Sequence, residues 1–214
     1  MALLYQATLT PSKIELLQSW IPHQPWIGDA DATKVEVVGG YRFDDPDGEV
    51  GIETHLLQTA DGQILQVPVT YRGSPMTGAE SFVIATTQHS VLGKRWVYDA
   101  CGDPVYVRAL ATVILRGGTQ AEIDVVTDTG QKRLEATTRV SGSGSSQSAL
   151  APIASFSFSN EGATTVISAG QFELTVERVI DAAGEEEVYG DTPRLMGTWP
   201  SHTAPALLAL ARTS

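Results

Sequence analysis

Apolar residues near the N-terminus recur at helical spacing: Ile14, Leu17 and Ile21 form one stripe, which Leu16 and Trp20 widen. Thr10 as N-cap and Pro11 at the first helical position predict where this helix starts, and Pro22 predicts where it ends. So short a helix is not stable alone and needs a surface to lie on. That surface is predicted next. Runs over 34–38, 50–59, 64–72, 82–88 and 95–99 are rich in β-branched residues and read as strands. The turn-forming DDPDGE (44–49) and ADGQ (60–63) punctuate them. A second helix follows, with Asp103 as N-cap, Pro104 in the first turn and Gly117-Gly118 as the stop. Its buried stripe is Tyr106, Ala109, Leu110, Val113 and Ile114.

The pattern then breaks at SGSGSSQSALAP (141–152), whose Gly/Ser composition reads as a linker or long flexible loop. Short strands resume over 154–159, 164–168, 172–180 and 195–199, with an acidic loop at 182–191. This divides the chain into a first part (1–140), the 141–152 segment and a β-rich second part (153–214). Two helices among many antiparallel strands predict an α+β fold.

Composition narrows the function classes. At 214 residues the chain can bury a core without covalent staples, and with 18% charged residues it is not of disordered type. A net charge of −11 argues against nucleic acid and against an anionic membrane surface as partners. No apolar run reaches the length of a membrane span. Cys101 is the single cysteine, which excludes an internal disulfide and fits a reducing compartment; the N-terminus has no signal-peptide pattern. The expected location is the cytoplasm.

Candidate chemistry is densest between His89 and Gly118. His89, Lys94, Arg95 and Asp99 bring a cation pair next to an acid around the HSVLGK turn, with Trp96 between them and Asp103 just beyond. A salt-bridged turn is one reading, and a ligand or partner surface is the other. Trp20 and Trp26 flank Pro22 and Pro25, either as core residues or as stacking platforms for a sugar. Asp44, Asp45, Asp47 and Glu49 alternate as calcium ligands do, but they lack the distal glutamate of a calcium loop and suit a hairpin turn. Cys101 and His89 lack a third, orienting group, and the four histidines have no zinc-site spacing. Glycine-rich phosphate loops, a kinase catalytic loop and a GxSxG elbow do not occur in the sequence. No metal, no cofactor and no catalytic residue is expected.

Three segments, TLTPSKIELLQSWIPHQPW, GYRFDDPDGEVGIETHLL and HSVLGKRWVYDACGDPVY, resemble the stand-alone actinobacterial proteins classed with the maltokinase N-terminal cap domain. The resemblance implies a cystatin-like cap, with an antiparallel sheet wrapped on the N-terminal helix. SNEGATTVISAGQFELTVERVI and PRLMGTW resemble the β-rich subdomain that follows the cap in the full kinases, here as a degenerate kinase N-lobe. In that alignment the nucleotide-binding lysine falls at Thr175, which cannot supply the charge, and the chain ends at Ser214, where the kinases begin their catalytic lobe. The resemblance therefore implies a non-catalytic accessory, regulatory or ligand-binding protein of cytoplasmic α-glucan, maltose or trehalose metabolism. Its partner is expected to be a protein or a small carbohydrate-type ligand, with homodimerisation open. The face expected to meet it comprises Trp20, Trp26, His89, Lys94, Arg95, Trp96, Asp99 and Asp103. The alternative is an enzyme acting on a sugar or sugar phosphate through the His89–Asp103 region.

Overall fold

A computed structural model describes residues 2–4, 7–127, 130–147, 153, 155–181 and 189–213. Strands β1 (Ala2–Leu4) and β2 (Leu9–Thr10) precede helix α1 (Lys13–Trp20). Then come β3 (Val35–Phe43), β4 (Gly51–Thr59), β5 (Ile64–Arg72), β6 (Val83–His89), β7 (Gly93–Asp99) and helix α2 (Pro104–Arg116). Strands β8 (Ile123–Thr127), β9 (Gly130–Leu134), β10 (Arg139–Gly142), β11 (Ser157–Glu161), β12 (Thr164–Ala169) and β13 (Phe172–Glu177) follow. The described chain closes with β14 (Val179–Ile180), β15 (Arg194–Trp199) and β16 (His202–Thr213).

Helix α1 begins two residues later than Thr10 and Pro11 suggest. Ser12 is its N-cap, and Glu15 returns a carboxylate to the Ser12 N–H at 2.7 Å, completing a capping box. Thr10 instead pairs with Gln88 at the end of β2. Around Pro22 the helix tightens into a 3-10 turn, Ile21–His23, where the proline cannot continue the α-helical ladder. Helix α2 starts and stops as expected, with Asp103 accepting from the Val105 N–H and Gly117 in the left-handed conformation at φ 66°.

The fold is mostly antiparallel sheet with a few helices, and the sheet curls into a half-barrel. A seven-stranded sheet runs in the order β2-β6-β7-β5-β4-β3, with β14 pairing alongside β5. Its centre is covered on both sides, so β5 is buried continuously from Ile64 to Thr70 rather than alternately. On one face Leu57, Leu65, Val67, Val69 and Val97 pack against Leu16, Leu17 and Ile21 of the α1 region. On the other, Tyr41, Phe43, Ile52 and Leu56 share a core with α2 and with a six-stranded sheet ordered β10-β15-β16-β13-β12-β11. The more deeply enclosed helix is α2, which buries seven side chains where α1 buries Leu16 and Leu17. Strand β16 joins β13 and β15 and has no counterpart among the sequence expectations.

A buried polar joint ties the two sheets together. Arg178, between β13 and β14, is fully buried; its Nη2 donates to both carboxylate oxygens of Asp99 at 2.7 Å, and its Nε donates to the Thr165 hydroxyl. Gln66 of β5 donates its side-chain amide to the Glu177 and Leu208 carbonyls and accepts from the Tyr41 hydroxyl.

The 141–152 segment begins inside this structure, not as a flexible coil. Ser141 and Gly142 belong to β10, and the Ser143 N–H bonds the Arg194 carbonyl at 2.9 Å. The Gly144 N–H satisfies the Ile114 carbonyl in the last turn of α2, one of the acceptors a helix leaves open. Side chains at 142 and 144 would collide with the Val113 and Leu115 carbonyls. These glycines therefore serve close approach rather than flexibility. Residues 148–152 lie outside the described residues, as does most of the acidic loop.

Candidate functional site

Several of the expected site residues hold the fold together. Asp103 is fully buried at the N-terminus of α2, where it receives Arg72 bidentately at 2.6 and 2.7 Å and the Thr70 hydroxyl at 2.7 Å. Asp99 neutralises Arg178. Cys101 is buried beside this pair, and burial pushes its thiol far above the ordinary range, so it stays protonated. Trp26 is a core residue, 1% exposed, with its ring against the Arg178 guanidinium and 6.0 Å from the half-buried Trp20.

The β6–β7 hairpin divides the remaining residues between two faces, because side chains alternate along a strand. Lys94 and Trp96 share one face, with the exposed ammonium 4.8 Å from the centre of the indole ring. Arg95 lies on the other, the α1 face, with Val97. His89 organises the hairpin turn: its Nδ1 accepts from the Val91 and Leu92 N–H groups at 3.2 and 3.1 Å. Burial, then Arg95 and Lys13, hold its pKa below the ordinary histidine value. The expected single face is therefore not formed. Trp20, Trp26 and Arg95 belong to one side of the sheet, and Lys94 and Trp96 to the other.

Following Arg95 onto the α1 face leads to a polar cluster that sequence reading missed. Arg42 on β3, Glu53 and His55 on β4, and Tyr71 on β5 share this face, with Arg42 directly opposite Glu53 in register. Lys13, the first residue of α1, reaches down to them. Its ammonium meets Glu53 Oε2 at 2.5 Å and lies 5.5 Å from the centre of the Tyr71 ring. His55 Nε2 is 3.8 Å from the same carboxylate oxygen. A glycine makes room for the Arg95 guanidinium, whereas Gly51 stands at ordinary contact distance from that of Arg42. A Cβ at Gly51 would stand 3.6 Å from Arg42 Nη2, and one at Gly73 only 2.7 Å from Arg95 Nη1.

Electrostatics bind these groups into one unit. Burial opposes charge on Glu53, yet His55, Lys13 and Arg42 outweigh it and hold the carboxyl down to about 2. For His55 burial wins over the attraction of Glu53, so its pKa falls and the ring is neutral at pH 7. Burial and then Glu53 raise the Tyr71 phenol well above its usual range. The nitrogens Arg42 Nε, His55 Nε2 and Arg95 Nε are buried with no hydrogen-bond partner in the protein. They are three of the seven such side-chain atoms among the described residues.

Elsewhere, a groove of about 640 Å³ runs beside α2 between Phe43, Arg108, Thr112, Arg116, Gln120 and Glu122. Its charges are matched within the protein: Arg108 faces Asp47 at 3.6 Å, and Glu122 pairs with Arg133 at 2.6 Å. Among the described residues no group of histidines, cysteines and carboxylates is arranged to hold a metal, and no helix is long and apolar enough to cross a membrane.

Residues 20–103 match the family model of the maltokinase N-terminal cap domain. No curated protein matches the chain. The matched segment runs from the last residue of α1 to the N-cap of α2. It thus includes Arg42, Glu53, His55, Tyr71 and Arg95, and the helix that carries Lys13 enters it only at its end.

Proposed function

From a chain that carries a maltokinase N-terminal cap-like domain, and is thereby linked to maltokinase-related α-glucan metabolism, we propose a non-catalytic accessory module, working in the cytoplasm, that binds a small ligand or protein partner through the α1 face. The carrying observation is how the reactive groups near the hairpin are used. Asp99 and Asp103 are each locked to an arginine, and Cys101 is a buried thiol. General acid–base or nucleophilic work needs side chains free to reach a substrate, and these are buried and, for the two carboxylates, already engaged. That weighs against an enzyme built on the His89–Asp103 region. Thr175, aligned with the nucleotide-binding lysine, sits half-buried on β13 opposite Val166 and Leu210, and offers a hydroxyl rather than a cation.

The test is turnover. The purified chain incubated with ATP and maltose, or with ATP and glucosamine, is expected to form no phosphorylated sugar. Product that persists through purification and disappears on mutation of this chain would overturn the proposal.

A further inference from the structure

We infer that the α1 face is a receptor for a dianionic phosphate group, carried by a small metabolite such as a phosphorylated sugar. This deepens the proposed binding role, and three observations converge on it.

The first is charge. The groups that act on Glu53, His55 and Tyr71 are one another, Lys13 and Arg42, while Lys13 and Arg95 together act on His89. Lys13, Arg42 and Arg95 are three permanent cations against one carboxylate, Glu53, which leaves two positive charges on the face of a chain whose net charge is −11. A phosphate monoester brings close to two negative charges at pH 7.

The second is hydrogen bonding. Buried donors without acceptors are uncommon in folded proteins. His55 is 7% exposed with Nε2 unpartnered, and Arg42 and Arg95 each bury an unpartnered Nε on the same face. An oxyanion on this face is the ligand chemistry that offers acceptors to buried guanidinium donors of this kind. Guanidinium groups favour phosphate in particular, because their planar fork matches two of its oxygens.

The third is shape. Gly73 leaves open the space that the Arg95 guanidinium occupies, since a Cβ there would stand 2.7 Å from Nη1, and Arg42 Nη2 lies within contact reach of Gly51. The Tyr71 phenol ring, packed against the α1 core, gives an apolar surface suited to the carbon skeleton of a sugar.

Isothermal titration calorimetry at fixed ionic strength can test this with three probes: inorganic phosphate, glucose 6-phosphate and glucose. Both phosphate compounds, or the ester alone, are expected to bind, and glucose is not. Equal affinity for the two would identify free phosphate as sufficient, whereas a stronger ester would identify a phosphorylated sugar. Both outcomes support the site. Arg42→Gln and Arg95→Gln should each weaken binding about tenfold, the scale of a charged hydrogen bond, while Lys34→Gln on an exposed loop should leave it unchanged. If Arg42→Gln does not fold, as judged by its thermal transition, Arg95→Gln carries the test. Absence of binding by the ester, equal binding of glucose, or binding undiminished in the arginine variants overturns the inference. None of these results bears on turnover from ATP, so the non-catalytic reading stands or falls separately.

Discussion

At the residue scale, the side chains that matter most are those whose neighbours come from distant strands. Arg178 and Asp99 are 79 positions apart, yet they form a buried bidentate pair. Removing one partner strands a buried charge, so Arg178→Met is expected to lose about 3–5 kcal/mol of stability in denaturant titrations. A loss below about 1 kcal/mol would show that the joint between the sheets does not depend on this pair. The polar face also predicts a pH dependence with a definite sign. His55 has its pKa lowered from 6.5, so as the pH falls through that value the unfolded chain takes up a proton that the folded chain refuses. Stability should therefore decline below pH 6.5, and His55→Gln should remove that part of the slope. Glu53 acts in a lower window: its contribution is full above 4.5 and is lost as the pH drops towards about 2. A stability profile flat from pH 7 to pH 5 would contradict the assignment for His55. Little of this was legible in advance. Alternation along β4 shows that Glu53 and His55 share a side, but only the register with β3 and β5 and the docking of α1 supply Arg42, Tyr71 and Lys13.

At the element scale, local chemistry in the sequence was the better guide. The cap, first-turn proline and terminal glycine of α2 all appear where their stereochemistry predicts. Its Leu110 is fully buried, so Leu110→Ala should cost about 2–5 kcal/mol. Helix α1 was displaced by two residues because two capping signals compete, and the Ser12–Glu15 box prevails over Thr10-Pro11 by satisfying two backbone or side-chain donors reciprocally. Strand β16 escaped detection because its Ala- and Leu-rich run, interrupted by Pro205, lacks the β-branched signature; pairing on both sides makes it a strand. The glycines at 142 and 144 misled in the opposite direction, since composition alone cannot separate a flexible glycine from one wedged against helix carbonyls. Gly144→Ala should therefore be destabilising by about 1–3 kcal/mol, where a linker would tolerate it. Unchanged stability would restore the linker reading at that position.

At the scale of the whole molecule, the curled antiparallel architecture turns one sheet into a partition. Its inner face shares a core with α2 and the six-stranded sheet, and its other face combines the α1 core with the charged cluster. An α+β composition and the cap-like character of the first half were readable from pattern and resemblance. The candidate site was not, because it lies across five elements whose individual sequences are unremarkable. The function proposed for this molecule resides on the α1 face and is binding rather than turnover. A ¹⁵N–¹H correlation titration of the labelled chain with glucose 6-phosphate would locate that binding residue by residue. Saturable shifts are expected at the amides of Lys13, Arg42, Gly51 to His55, Tyr71 to Gly73 and Arg95. Shifts confined to the α2 groove around Arg108, Thr112 and Gln120, or to the Lys94–Trp96 side of the hairpin, would contradict it.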